Sequence, residues 1–166
     1  MFSRCPGPVP RSPAQSPFKP GEIPAGNGAR AELLGLAFGG RDNYGIDEQE
    51  LKRGGTSYTI DTVRDHALRT PGAEFFCLIG ADHVPTLPKW RDAAELAKLT
   101  SFAAVPRPGQ TPANFPASFR GTWLRGQPMD IAASDIRARL RDGRDFENLV
   151  PSAVAKAIHN MNLYAN

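Results

Sequence analysis

Cysteine is scarce in this 166-residue sequence: the two that occur are Cys5 and Cys77. One lies in a proline-rich tail and the other in an apolar run, which excludes a disulfide framework and fits a reducing compartment. Long hydrophobic runs are missing too. The longest are short pieces such as 75–79, far below the roughly 18 consecutive apolar residues of a membrane span. The opening MFSRCPGPVPRSP has no apolar core of the kind a secretory leader carries, so a cytoplasmic protein is expected. Histidine is limited to His66, His83 and His159, and with so few cysteines there is no zinc-binding spacing. A recognition helix and a ribonucleoprotein aromatic motif are also lacking, which weighs against a nucleic-acid polymer as the partner.

What is present is the composition of one ordinary soluble domain: 40% hydrophobic and 22% charged residues. The net charge of +3 is mild, but its distribution is uneven. Arg120, Arg125, Arg137, Arg139, Arg141 and Arg144 crowd the last third of the chain. Such a cluster is either a solvated face or a binder of phosphates, and among ligands a small nucleotide fits better than a polymer.

The first 28 residues are rich in proline and glycine without apolar periodicity, and read as irregular chain. A helix is expected over 29–38, with Leu33, Leu34 and Ala37 on one side, followed by a short strand at YGIDEQEL running into a charged loop. Ile60, Val63 and Ala67 mark a second helix face, capped by Thr59 and ended by TPG at 70–72. FFCLIG at 75–80 is a continuous apolar run ending in glycine, the pattern of a strand buried on both faces of a parallel sheet. GADHVPTLPKW then reads as a loop, and AAELAKL as a helix capped by Asp92. SFAAVP and GTWLRG follow as strands. Two helices close the chain, one capped by Ser134 and ending at Gly143, the other opening at Pro151. The alternation predicts an α/β fold with a doubly wound parallel sheet, whose ligands bind at the carboxyl ends of the strands.

Several residues near that edge carry possible chemistry. Asp82, two residues beyond a strand, could accept hydrogen bonds from vicinal ribose hydroxyls, or simply cap a turn. Trp90, behind two stiffening prolines, could stack on a planar ring or fill the core. Arg137 near a helix start adds a full charge to the partial positive charge of the helix end, which suits an anion such as triphosphate. Gly54 and Gly55 lead into Thr56, Ser57, Tyr58 and Thr59. They would let backbone amides beside Tyr58 and Thr59 approach an anion closely, or serve only to shape the entry to a helix.

Taken together, GGTSYTIDTV, FFCLIGADHVPTLPKWRDAAELAKLTSFAAVPRPG, IAASDIRARLRDG and LVPSAVAKAIHNMNLY resemble the bacterial nicotinate-nucleotide adenylyltransferases in order and spacing, over roughly residues 14 to 165. SPFKPG at 16–21 is similar to that family's loop carrying a substrate-binding lysine. The resemblance implies a Rossmann-like nucleotidylyl-transferase fold. It also implies a reaction in which nicotinate mononucleotide attacks the α-phosphorus of ATP in the presence of Mg²⁺. Trp90 would then stack on the pyridine ring while amides near Tyr58, Thr59 and Arg91 hold its carboxylate. Asp82 would meet ribose, and Lys19 and Arg107 would lie near phosphates. Gly80, Ser134, Ile136 and Arg137 would stand on the ATP side. Nucleic acid and membrane are not expected as partners, and the oligomeric state is open.

The chain departs from the family in one respect. The family's opening GxFDPxHxGH, whose histidines bind the reacting phosphates, has no counterpart, and none of the three histidines has the HxGH spacing. No catalytic histidine is therefore assigned, and His83 is expected to have a surface or loop role. Residues 1–13 are expected to be an irregular, non-native tail and residues 14–166 an incomplete nucleotidylyl-transferase domain lacking its first strand–helix unit. A truncated or mis-started product would account for this. Removing a central strand would leave an unpaired sheet edge and exposed apolar surface. The family's ISSTDIR also stands here as IAASDIR, two hydroxyls poorer. The alternatives are an inactive nucleotide-binding remnant and a sibling adenylyltransferase acting on nicotinamide mononucleotide or phosphopantetheine.

Overall fold

Three short apolar segments pair side by side in parallel. In the computed structural model, which describes residues 25–39, 44–106, 108–109, 112–125 and 131–164, they form β1 (Phe75–Gly80), β2 (Thr100–Val105) and β3 (Gly121–Trp123), ordered β1-β2-β3. Phe75 lies opposite Thr100 and Gly80 opposite Val105, so β1 and β2 run in register for six residues. Phe102, Ala103 and Ala104 pair with β3. Helix α3 (Thr59–Arg69) precedes the sheet, and α4 (Ala93–Leu99) connects β1 to β2. The alternation of strand, crossover and parallel strand is as the sequence predicts.

The chain divides into two compact units, 58–130 and the pairing of 1–57 with 131–166. The first holds the sheet. Its core joins Ile60 and Val63 of α3, Cys77 and Ile79 of β1, Leu96 and Ala97 of α4, Phe102 and Ala104 of β2, and Phe119. Phe102, Leu96 and Ala104 are essentially inaccessible. The hydroxyl of Thr100, buried where β2 begins, donates to the Phe75 carbonyl at 2.9 Å, so its polar atom is not left unpaired in the core.

The second unit is helical: α1 (Asn27–Phe38), α2 (Gln49–Arg53), α5 (Ala133–Arg141) and α6 (Ser152–Asn160). Its core gathers Phe146, Val154, Ala155 and Ile158, with Leu33 and Ala37 of α1 and Ile136 and Leu140 of α5 packed against them. The expected strand at YGIDEQEL is instead an isolated bridge residue, Asp47, followed by α2. That stretch has one β-branched residue among polar ones, and the Asp47 carboxylate takes the Gln49 amide at 2.9 Å, which favours turning over pairing.

Two further expectations are corrected. GADHVPTLPKW is not a loop: Ala81–Lys89 winds into a 3-10 helix containing Pro85 and Pro88. Nor is β1 buried on both faces. Cys77 and Ile79 point into the core, but Phe76 and Leu78 are 67% and 63% exposed, and among the described residues β1 has a neighbour on one side only. Among the described residues no helix is long and apolar enough to cross a membrane.

Candidate active site at the carboxyl edge of the sheet

The chemistry-bearing residues of the sheet unit follow from a three-residue period. A 3-10 helix repeats every three residues, so Ala81, Val84 and Leu87 fall on one row and are all buried. Trp90 is next on that row, just past the last turn. Its ring is half-buried and packs edge-on against Phe102 at 6.3 Å and His83 at 5.8 Å. The indole N–H donates to Thr86 Oγ1 at 3.3 Å, and Thr86 in turn donates to the His83 carbonyl at 2.8 Å. Trp90 thus packs against the core, one of the two roles expected of it, while its side chain stays partly accessible. His83 is the residue that sequence reasoning set aside, and it packs against Trp90. Nothing but its place on the 3-10 helix signalled that contact.

Asp82 lies on the next row with Pro85 and Pro88, and all three are exposed. It lies two residues past Gly80, the last residue of β1, at the carboxyl edge where ligands of such sheets bind. Gly80 has φ −73° and ψ 154°, ordinary extended backbone, and no atom lies within 4 Å of where a Cβ would sit.

Tyr58 and Arg91 meet although 33 positions separate their numbers in the chain. The Arg91 guanidinium sits 4.5 Å over the Tyr58 ring, a cation–π contact, and is 3.9 Å from the Asp61 carboxylate. Tyr58, extended at φ −109° and ψ 133°, is the N-cap residue of α3, and Thr59 is its first helical residue. This corrects the expectation that Thr59 caps the helix. Tyr58 makes no side-chain cap bond, and its carbonyl accepts the Asp61 amide at 3.2 Å. Asp92 does occupy the N-cap of α4, but with no side-chain cap bond; its carbonyl receives the amides of Glu95 and Leu96.

The glycines ahead of this corner have a conformational explanation. Gly54 (φ 68°, ψ −178°) and Gly55 (φ 65°) both occupy the positive-φ half of backbone space, which side chains resist. They are needed for the turn whatever binds beyond it.

In the helical unit, α5 begins at Ala133 with Ala132 at its N-cap, so Ser134 lies inside the first turn and caps nothing. Arg137 stands in the second turn, its guanidinium 5.9 Å from the Tyr164 ring centre, and Ile136 packs against the helical core. The arginine cluster is partly engaged locally: Arg139 donates to the Asp145 carbonyl at 3.0 Å, and Arg144 pairs with Asp142 at 2.8 Å. The structure therefore brings Tyr58, Thr59, Gly80, Asp82, Trp90 and Arg91 into one unit, and Ser134, Ile136 and Arg137 into the other. Lys19 and Arg107 lie outside the described residues. A recess of about 190 Å³ lined by Glu74, Phe75, Lys98, Ser101 and Arg120 opens at the amino end of the strands, away from this corner. Among the described residues no three His, Cys, Asp or Glu side chains cluster as a metal site.

A protein of Methylibium petroleiphilum, described as "Probable nicotinate-nucleotide adenylyltransferase", is 35% identical over 145 residues, covering 82% of this chain and 68% of that protein. The chain belongs to the nicotinate-nucleotide adenylyltransferase family. An Exiguobacterium sibiricum member with the same description is 37% identical over 136 residues, covering 82% of this chain and 71% of that one. Among solved structures, the Plasmodium falciparum nicotinic acid mononucleotide adenylyltransferase complexed with NaAD superposes with a TM-score of 0.65 at 15% identity. It covers 82% of this chain and 73% of that one. This adenylyltransferase family member thus has the Rossmann-like α/β fold of those enzymes. No protein-family model matches the sequence.

Proposed function

We propose that this chain transfers the adenylyl group of ATP to nicotinate mononucleotide, giving the deamido dinucleotide and pyrophosphate in NAD biosynthesis. One observation carries this reading: Arg91 lies 4.5 Å over Tyr58 at the entry of α3, and Trp90, its neighbour in the chain, packs partly buried against the same core as Tyr58. That corner offers an aromatic face and a cation together, as a pyridine ring bearing a carboxylate requires.

In the reaction, an oxygen of the mononucleotide phosphate attacks the α-phosphorus of ATP. The new P–O bond forms as the bond from that phosphorus to the α,β-bridging oxygen breaks, and pyrophosphate leaves with the electron pair. No protein nucleophile is required; the work is alignment and charge neutralisation. Mg²⁺ arrives with ATP as part of the co-substrate. Trp90 stacks on the pyridine, and the amides near Thr59 and Arg91, with Tyr58, hold its carboxylate. Asp82 accepts ribose hydroxyls, and Lys19 and Arg107 neutralise phosphates. Gly80, Ser134, Ile136 and Arg137 serve ATP. Residues 14–166 form the adenylyltransferase domain, acting in the cytoplasm.

The test is pyrophosphate release from Mg·ATP with nicotinate mononucleotide as acceptor, set against nicotinamide mononucleotide and phosphopantetheine. Release with the nicotinate form alone is the expected result. Binding of both substrates by a folded chain without release would overturn the reading.

A further inference from the structure

Arg64, one turn into α3, has no role in the reading above, yet it is heavily engaged with carboxylates. Its Nε donates to Glu95 Oε1 at 2.9 Å, and its Nη2 donates to Asp92 Oδ2 at 2.9 Å and also to Glu95 Oε2. Its Nη1 lies 3.5 Å from Asp61 Oδ1. One guanidinium therefore faces three carboxylates from two elements, a use of its planar fork that lysine could not reproduce. The hydrogen bond from Arg64, aided by the charges of Arg64 and Lys98, holds the Glu95 carboxyl below its ordinary value.

The placement of those carboxylates is what matters. Asp61 is in the first turn of α3, beside Tyr58 and Thr59, and its other oxygen faces Arg91 at 3.9 Å. Asp92 directly follows Arg91 and has left-handed backbone (φ 49°, ψ 41°), an unfavourable state for a residue with a side chain. Its side chain is tied to Arg64. Without Arg64, Asp92 and Glu95 would lose the cation that they share beside the corner assigned to a pyridine carboxylate, and like charges repel. Asp61 would also be left with Arg91 as its cation, drawing that side chain from Tyr58.

We infer that Arg64 is a positioning and specificity-determining residue: it ties the Trp90–Asp92 turn to α3 and cancels the acidic charge there, so that the corner accepts nicotinate in preference to nicotinamide. This rests on the reading that the corner binds the pyridine ring.

The experiment compares the parent chain with Arg64→Met and Arg64→Lys, all in a Trp123→Phe background so that Trp90 is the only fluorophore of its kind. Dissociation constants for nicotinate and nicotinamide mononucleotide are measured by calorimetry, and acrylamide quenching of Trp90 without ligand. The expected result for Arg64→Met is a loss of nicotinate affinity of about tenfold with far less change for nicotinamide, because only the anion feels the unmasked carboxylates. Quenching should rise, and Arg64→Lys should recover the preference but not the low quenching. A general structural defect would weaken both ligands alike and would overturn the inference, as would an unchanged preference. If Arg64→Met does not fold, Arg64→Lys decides: quenching equal to the parent overturns the positioning role. A parent chain that prefers neither ligand overturns the reading of the site, and unchanged quenching in both variants would then overturn the inference as well.

Discussion

At the scale of single residues, two kinds of glycine separate what the fold requires from what a ligand would require. Gly54, at φ 68° and ψ −178°, is in a region of backbone space that only glycine visits freely. Gly54→Ala should cost roughly 1–3 kcal/mol in a urea titration, whether or not nucleotides are present. Gly80 is the opposite case: its backbone is ordinary, and a methyl group there would meet nothing within 4 Å. Gly80→Ala should therefore fold at least as stably, gaining about 0.4–1 kcal/mol through the unfolded chain. If ATP lies against the end of β1 as proposed, the same methyl group should weaken ATP binding by roughly tenfold or more, through crowding of the ligand. Equal ATP affinity in calorimetry would remove Gly80 from the ATP side.

At the scale of elements, the sequence was read well where one pattern acted alone and poorly where two competed. FFCLIG and SFAAVP read as short apolar strands, and Phe75–Gly80 and Thr100–Val105 form parallel strands in register. GADHVPTLPKW reads as a loop because prolines usually interrupt helices, yet Ala81, Val84, Leu87 and Trp90 recur every third residue, the period of the helix that forms. That period could have placed Trp90 against the core and Asp82 outside it. The link between Arg64 and α4 was not legible, since no local pattern pairs residues 31 apart. Two measurements address these elements. Phe102 is 1% exposed and touches both Trp90 and Phe119, so Phe102→Ala should cost about 3–5 kcal/mol by urea unfolding and loosen Trp90 as well. Glu95 has a folded-state affinity for protons below its ordinary 4.5, so its bond to Arg64 adds stability that is complete above that pH and fades as acid protonates the folded carboxylate. The parent chain should thus lose melting temperature relative to Glu95→Gln as pH falls below 4.5, with the gap between them constant from pH 6 to 8. A gap that does not narrow in acid would mean that the pair contributes nothing.

At the scale of the whole molecule, the described sheet leaves part of its surface unshielded. Phe76 and Leu78 project from the same face of β1, two residues apart, while Cys77 and Ile79 fill the core from the other. Strand β1 also pairs on one side only among the described residues. An apolar, hydrogen-bond-hungry edge of this kind is a template for association between chains. FFCLIG reads in the sequence as a strand covered on both faces, and the exposures of Phe76 and Leu78 contradict that for one of them. Replacing Phe76 and Leu78 together by threonine puts β-branched strand formers in their place and removes little buried surface. Because substitutions at exposed positions change stability by about 0.5 kcal/mol or less each, the double variant should unfold within a few degrees of the parent. Light scattering at increasing concentration should show it associating less. A marked loss of stability instead would mean that this face is packed in solution, and that the edge of β1 is occupied whenever the protein is folded.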